Sequence, residues 1–378
     1  MKILWFIENL CLGGQQTYSL NLIREINKNK NIKTDVIFLN DGELKENFNI
    51  ISSRLFHLNN FKKKDYYNPF KLIKLLYSYY NFLKNNKYDI IISNGIISFG
   101  VTSIIKFFFN FKHARLLGGP ILDTEPTYEK YFHNILPFHK NLDYAFGWEG
   151  TNYLESKRYG NKLITFNPSV DTSMFYPNES KVRTYIRNKY LIKDEDIVIG
   201  WVGRISFNMQ IKNTILLGGE LQKRGLKNFK ILIVGGGDWE SEMFELISEN
   251  GIKENCIHLG WQPMEYIPDL YQAMDIVPLL EKNPCGGSIL REAMACGSLV
   301  ISVNGKNKSQ SSWIFNGDNG ILVSDDNYVF ECADVIVEYS KDKTDKFKSI
   351  CRRGVNYAKD KMSFKQSSSI IMKNILND

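Results

Sequence analysis

The sequence predicts an α/β protein built from two open parallel sheets in tandem, each covered by helices on both faces. Three observations lead there. Short β-rich runs alternate with helical patterns along most of the chain, and the alternation restarts after a break in style near Phe166-Asn167-Pro168-Ser169. The length of 378 residues, at roughly 150 per domain, also asks for two or three domains.

In the first half, KILWFIE (2–8) reads as a strand: one lysine precedes a very short apolar run, Glu8 follows it, and no small-residue cleavage site is present, so it is not read as a signal peptide. The glycine turn Leu12-Gly13-Gly14 leads into a helix from about Gln16 to Lys28. TDVIFL (34–39) and YDIIIS (88–93) are further strands, with a long helix after Pro69 between them. The second half repeats the pattern, with strands at 197–203, 229–235, 256–260, 275–280 and 298–302, helices at 211–224 and 239–250, and a helix opening near Ser288. The segments 327–341 and 346–377 read as closing helices. Ligands of open parallel sheets bind outside the carboxyl ends of the strands, so a cleft between the two sheets is the expected ligand site.

Composition narrows the function. Hydrophobic residues at 43% and charged residues at 24% are ordinary for globular proteins, which excludes wholesale disorder. The best apolar stretch, Tyr88 to Phe111, is interrupted by Asn94, Gly95 and Lys106 and falls short of the roughly 18 residues of a membrane span. Cys11, Cys256, Cys285, Cys296, Cys332 and Cys351 are scattered without Cys-x-x-Cys or an adjoining histidine, which argues for reduced thiols and against a zinc site. The expected compartment is the cytoplasm.

The net charge of +7 is unevenly spread: residues 1–170 hold 22 Lys+Arg against 14 Asp+Glu, and residues 171–378 hold 26 against 27. Two clusters mix the basic excess with aromatics. Lys62-Lys63-Lys64 and Tyr66-Tyr67 precede the segment with Lys71, Lys74, Lys84 and Lys87, and IIKFFFNFKHAR spans 104–115. Such surfaces suit anionic headgroups or an acidic acceptor; the plain alternative is helices that cover a sheet with lysine facing solvent. No motif of a nucleic-acid-binding module is present.

The chemistry concentrates in NPCGGSILREAMACGSLVIS, 283–302. Gly286 and Gly287 let backbone approach a ligand, and Ser288 is a candidate N-cap whose helix end would stabilise an anion such as a diphosphate. Glu292, four residues on, shares that helix face, where a carboxylate can accept hydrogen bonds from ribose hydroxyls. The alternative is a solvated helix residue, which the apolar neighbours Ala293, Met294, Ala295 and Cys296 disfavour.

Glu-Ala-Met-Ala-Cys-Gly (292–297) resembles the signature of family 4 of the retaining glycosyltransferases, glycosyl transferases group 1, which have the GT-B fold of two Rossmann-like domains facing across a cleft. Further resembling pieces follow in order: Leu12-Gly13-Gly14 as the amino-terminal glycine loop, Asn167 to Asp171 with Phe175-Tyr176-Pro177 as the linker, Val202-Gly203-Arg204 as the diphosphate turn, and Asn316-Gly317-Asp318-Asn319-Gly320 with Ile321-Leu322-Val323 as the late loop and strand. The resemblance implies an acceptor-side domain over 1–168, a nucleotide-sugar domain over 169–360, and a last helix, 361–378, packing back toward the first. It implies a UDP- or GDP-linked sugar as co-substrate and no metal. Arg204 and Lys212 would stabilise the leaving diphosphate, and Gly13, Gly14, Gly203, Gly286, Gly287, Ser288 and Glu292 would complete the donor site. The acceptor would be a glycan or a lipid-linked molecule, an anionic membrane surface being the further partner that the basic half suggests.

There are departures from the family pattern. Lys212 lies eight residues after Arg204, farther than in the family, and reads equally as a solvent-facing first-turn lysine. Pro284 stands where a second glutamate is common; Glu281 is nearby at the wrong spacing, and a surface role at the strand end suits it. The stretch Arg115-Leu116-Leu117-Gly118-Gly119-Pro120 lacks the family's loop histidine, His113 is assigned to the segment before it, and His133 and His139 have no assigned partner. Gly235-Gly236-Gly237-Asp238 reads as a turn lining the second domain, and Trp261 as a packed loop aromatic or a neighbour of the base. Two rivals remain open: a catalytically silent nucleotide-binding scaffold, which Pro284 favours, and a sugar-nucleotide epimerase or hydrolase.

Overall fold

The computed structural model describes residues 1–61, 65, 68–117, 140–148, 158–178, 180–206, 211–281, 288–305, 312–342 and 345–376. The chain divides into two compact units, Met1–Asn167 with Phe364–Asp378, and Pro168–Ser363.

In unit 1, β1 (Lys2–Asn9), β2 (Lys33–Asn40), β3 (Arg54–His57), β4 (Ile90–Asn94), β5 (Lys112–Leu116), β6 (Tyr144–Trp148) and β7 (Leu163–Phe166) form one parallel sheet in the order β3-β2-β1-β4-β5-β6-β7. The alternation of β1 divides its side chains between two cores. Ile3, Trp5 and Ile7 join the cluster containing Leu22, Ile23, Ile371 and Ile375, whereas Leu4 and Phe6 join Leu75, Tyr79 and Leu83 on the other face. Helices α1 (Gly14–Ile26), α2 (Lys45–Ile51), α3 (Pro69–Asn85) and α4 (Ile96–Ile105) supply the covering layers. α3 starts where it does because Asn68 accepts from the backbone N–H of Phe70 (3.1 Å) and Lys71 (3.2 Å), with Pro69 in the first turn.

The closing helix Phe364–Leu376 belongs to this unit. It rests on the α1 face through Ile371 and Ile375, and the Phe364 ring lies 5.1 Å from that of Tyr18. A single helix over 346–377 is therefore incorrect. Lys346–Lys361 ends near Met362, whose carbonyl accepts from Val170 N–H at 2.7 Å, and Ser363 bridges to Val170.

A second correction concerns the basic and aromatic run 104–115. It is not a covering helix: it closes α4, makes the single turn Lys106–Phe108, and then enters the sheet as β5. His113 and Arg115 are buried there, so neither serves a surface. Four of the strands in this sheet, β3 and β5 to β7, are absent from the sequence reading.

In unit 2, β8 (Ile197–Val202), β9 (Phe229–Val234), β10 (Cys256–His258), β11 (Ile276–Leu279), β12 (Leu299–Val303) and β13 (Ile321–Val323) form a parallel sheet in the order β10-β9-β8-β11-β12-β13. Its central strands β8 and β9 are buried on both faces and, Lys230 apart, correspondingly apolar. Strand order reverses between β1 and β4 in unit 1 and between β8 and β11 in unit 2, so each unit has a topological switch point, the place where open parallel sheets bind ligands.

Candidate donor site

The carboxyl ends of β8 and β11 flank the reversal in unit 2, and of the residues singled out from the sequence Gly203, Arg204, Lys212, Ser288 and Glu292 lie on the segments that follow these strands. β8 runs into Gly203-Arg204, and β11 into Leu280-Glu281. Two backbone interlocks shape the first turn. Gly203 N–H donates to Val234 C=O at 2.9 Å, and Ile205 N–H to Gly236 C=O at 3.0 Å, which ties the turn after β8 to the turn after β9. Gly235, at φ +126°, comes so close that an added Cβ would stand 1.9 Å from the Gly203 carbonyl oxygen. The glycine triplet 235–237 thus positions the turn that carries Arg204.

Arg204 is exposed and, like Lys212 in the first turn of the helix Ile211–Lys223, has no ion-pair partner among the described residues. This contrasts with the amino ends of the strands. There Asp275 binds Arg183 (2.5 Å) and Arg187 (2.6 Å), and Asp35 binds Arg54 (2.7 Å). Cations without a carboxylate partner at a strand's carboxyl end suit an anionic ligand. Between Arg204 and Lys212, residues 207–210 lie outside the described residues. Asn213, buried beside Lys212, donates to the Leu280 carbonyl at 2.6 Å and so fastens that helix start to the end of β11.

Ser288 opens the helix Ser288–Cys296 and is exposed. Glu292 is half-buried one turn further in, where its Oε2 accepts from Tyr271 Oη at 3.0 Å. Desolvation raises the Glu292 carboxyl above its ordinary value, opposed by the Tyr271 hydrogen bond, the nearby Arg291 charge and the Ser288 side chain. Tyr271 is fully buried in the helix Ile267–Ala273, with its ring 6.0 Å from Phe175. Sequence reasoning missed this partner. It lies 21 residues from Glu292, and no local spacing signals it.

Gly286, Gly287 and Pro284 lie outside the described residues, as do Lys62 to Lys64, Tyr66, Tyr67, Gly118 to Pro120, His133 and His139. Glu281 is not a plain surface carboxylate. It is half-buried, accepts no hydrogen bond among the described residues, and burial pushes it up to about 7. Trp261 is exposed instead of packed; its indole nitrogen stands 2.7 Å from where a Gly236 Cβ would be.

The raised Glu281 carboxyl has a consequence for stability. Between its ordinary value of 4.5 and about 7 the folded chain holds a proton that the unfolded chain has lost, so the contribution favours folding below that window and fades as pH rises through it. Urea unfolding across this range is expected to show a shallower loss of stability in Glu281→Gln than in the wild type. Parallel curves would remove the assignment.

In unit 1 several residues at the corresponding switch point are polar. Gly13 is the N-cap of α1 in extended conformation, and Gly14, its first residue, has open space where a Cβ would stand. Gln16 donates to Asn9 at 2.9 Å, Gln15 to Asn94, and Asn94 to Ser19. Glu8, read only as the end of a strand, accepts from the backbone N–H groups of Ile97 (2.6 Å) and Ser98 (3.3 Å) at the start of α4. His113 belongs to β5, where its Nε2 meets Ser93 Oγ at 2.9 Å and burial holds its pKa well below the ordinary value. It is a neutral core histidine.

Among the described residues no three His, Cys, Asp or Glu side chains converge as a metal site. Burial pushes the thiols of Cys256 and Cys351 up to about 12, which leaves them poor nucleophiles.

The chain is similar to several known proteins. The sequence profile described as "Glycosyl transferases group 1" matches residues 182–359, which lie within unit 2. The chain is 28% identical over 143 residues to the alpha-D-kanosaminyltransferase of Streptomyces kanamyceticus, covering 37% of this chain and 36% of that protein. It is 27% identical over 176 residues to the D-inositol 3-phosphate glycosyltransferase of Rhodococcus jostii, covering 44% and 38% respectively. The matched region thus spans well under half the length of these curated relatives. The solved structure of HepE from Anabaena in complex with UDP superposes over 100% of both chains with a TM-score of 0.83 at 17% identity.

The fold is GT-B, two Rossmann-like domains with parallel sheets of seven and six strands. Over residues 182–359 its second unit is similar to the glycosyl transferases group 1.

Proposed function

We propose that the protein transfers a sugar from a nucleotide-sugar donor to a glycan or lipid-linked acceptor with retention of anomeric configuration, in the synthesis of cell-surface polysaccharide or glycoconjugate. One observation carries the reading. At the switch point of the family-matched unit, Arg204, free of any carboxylate partner among the described residues, lies across the strand reversal from a helix start that bears a Tyr271-held Glu292. HepE has also been solved with UDP-glucose, which favours a uridine donor over a guanosine one.

In this reading Arg204 and Lys212 hold the diphosphate, assisted by backbone N–H groups at Gly286, Gly287 and Ser288, while Glu292 accepts from the ribose hydroxyls. Gly203 gives the diphosphate turn its shape. The bond between the anomeric carbon and the phosphate oxygen breaks, and a bond to the acceptor oxygen forms on the same face. The acceptor's proton passes to the departing phosphate, so no protein base is required. Negative charge grows on the diphosphate as it leaves, and fixed cations stabilise that charge most in the transition state. The setting is the cytoplasm, at the inner face of an anionic membrane.

Incubation with UDP- and GDP-sugars tests the proposal. Nucleotide release with sugar appearing on an acceptor supports it; binding without turnover would favour a silent scaffold, and altered free sugar an epimerase or hydrolase. Glu292→Gln is expected to raise the donor KM by about 10- to 100-fold, the worth of hydrogen bonds to a charged group, with a smaller change in kcat. An unchanged KM would sever Glu292 from the donor.

A further inference from the structure

The exposed apolar surface of unit 1 is concentrated on α3 and the turn that follows α4. α3 reads PFKLIKLLYSYYNFLKN, 17 residues without an acidic side chain. Leu75, Tyr79 and Leu83 face the core, which the fold requires. Phe70, Ile73 and Tyr77 are 82%, 62% and 67% exposed, and their spacing places them on one stripe of the outer face. Lys74 and Lys84 flank this stripe and have no ion-pair partner among the described residues, whereas Lys71 is paired with Asp65 at 2.5 Å.

The stripe continues beyond the helix. Tyr80, three residues after Tyr77, meets the Phe108 ring edge-on at 5.9 Å, and Phe107 and Phe108 are 74% and 66% exposed. Phe107 also lines an open cavity of about 460 Å³ shared with Lys106, Lys112, Lys140, Asp143 and Lys162. Five large apolar side chains in water, bordered by lysine and joined to a basic hollow, form a patch that calls for a covering.

We propose that this face, α3 together with the turn Lys106–Phe108, docks on an anionic lipid bilayer, with Phe70, Ile73, Tyr77, Phe107 and Phe108 entering the interfacial layer and the lysines meeting headgroup phosphates. The inference rests on the membrane-surface part of the proposed function and specifies which residues enter the lipid. Charge decides against a second copy of the chain as the occupant. A two-fold contact through this face would set α3 lysines against one another, with no carboxylate on α3 to pair them.

Co-sedimentation of the full chain with vesicles of phosphatidylglycerol and phosphatidylcholine, or of phosphatidylcholine alone, tests it. The wild type is expected to bind the anionic vesicles, and less so as salt rises. The variant Phe70→Ser/Ile73→Ser/Tyr77→Ser should bind at least about tenfold more weakly while keeping its melting temperature and its nucleotide release in solution. A second variant, Lys74→Glu/Lys84→Glu, should lose binding to anionic vesicles with the apolar stripe intact. If both variants bind like the wild type, this face is not the docking surface, though the protein still works at a membrane. If the wild type binds no vesicle, the membrane-surface reading falls as well, and transfer activity in solution still decides the chemistry separately. Sedimentation velocity showing a dimer that the triple variant abolishes would overturn the proposal in favour of self-association.

Discussion

Arg204→Ala is expected to lower kcat/KM for nucleotide release by about 10²- to 10³-fold, the usual cost of removing one fixed donor from a developing anion. The side chain is exposed and has no ion-pair partner among the described residues, so its loss should leave the folded state within about 0.5 kcal/mol of the wild type. A matched thermal melt beside the steady-state assay therefore separates a chemical role from a structural one. Arg204→Lys should recover only part of the activity, because an ammonium cannot repeat the planar two-pronged contact of a guanidinium with phosphate. A near-wild-type rate in the alanine variant would remove Arg204 from the leaving-group site.

The largest stability effect is expected at Gly235. An alanine there meets two penalties: a backbone at φ +126°, which side chains resist, and a Cβ 1.9 Å from the Gly203 carbonyl oxygen, a backbone atom that cannot swing aside. Gly235→Ala should cost about 3 kcal/mol or more, read as a lower denaturant midpoint. Gly225→Ala is the control, since its φ of +80° carries similar strain with nothing within 4 Å of the new Cβ; it should cost about 1–2 kcal/mol. Equal midpoints for the two variants would show that the interlock between the turns after β8 and β9 is soft.

Both experiments concern features whose sequence signals differ in kind. The helix that carries Glu292 was legible because its parts are contiguous: glycines, a serine at the helix start and a carboxylate one turn on. Arg204 was singled out through the resemblance of Val202-Gly203-Arg204 to a family's diphosphate turn. Tyr271 was not, because its tie to Glu292 exists only once two helices pack. β5 escaped notice for a related reason. Its sequence KHARL is polar by composition, and it tolerates the interior because His113 meets Ser93 at 2.9 Å and Arg115 meets the Tyr159 hydroxyl at 2.5 Å. β3 and β7 are four residues each, too short for an alternation to register against the neighbouring turns. The break between the last two helices was hidden as well, since their periodicity runs on and the interruption coincides with the Val170 N–H to Met362 carbonyl bond.

The closing helix has a bearing on how such proteins can be recombined. Ile371 and Ile375 complete the core of the amino-terminal unit, yet they arrive after the other unit has been fully traversed. A chimera that takes its second unit from a relative should thus be spliced as an internal cassette over 168–363, with the native tail retained. Exchanging everything downstream of Asn167 would instead leave the α1 face against a foreign helix, and the hybrid would be compromised in the half that was never meant to change.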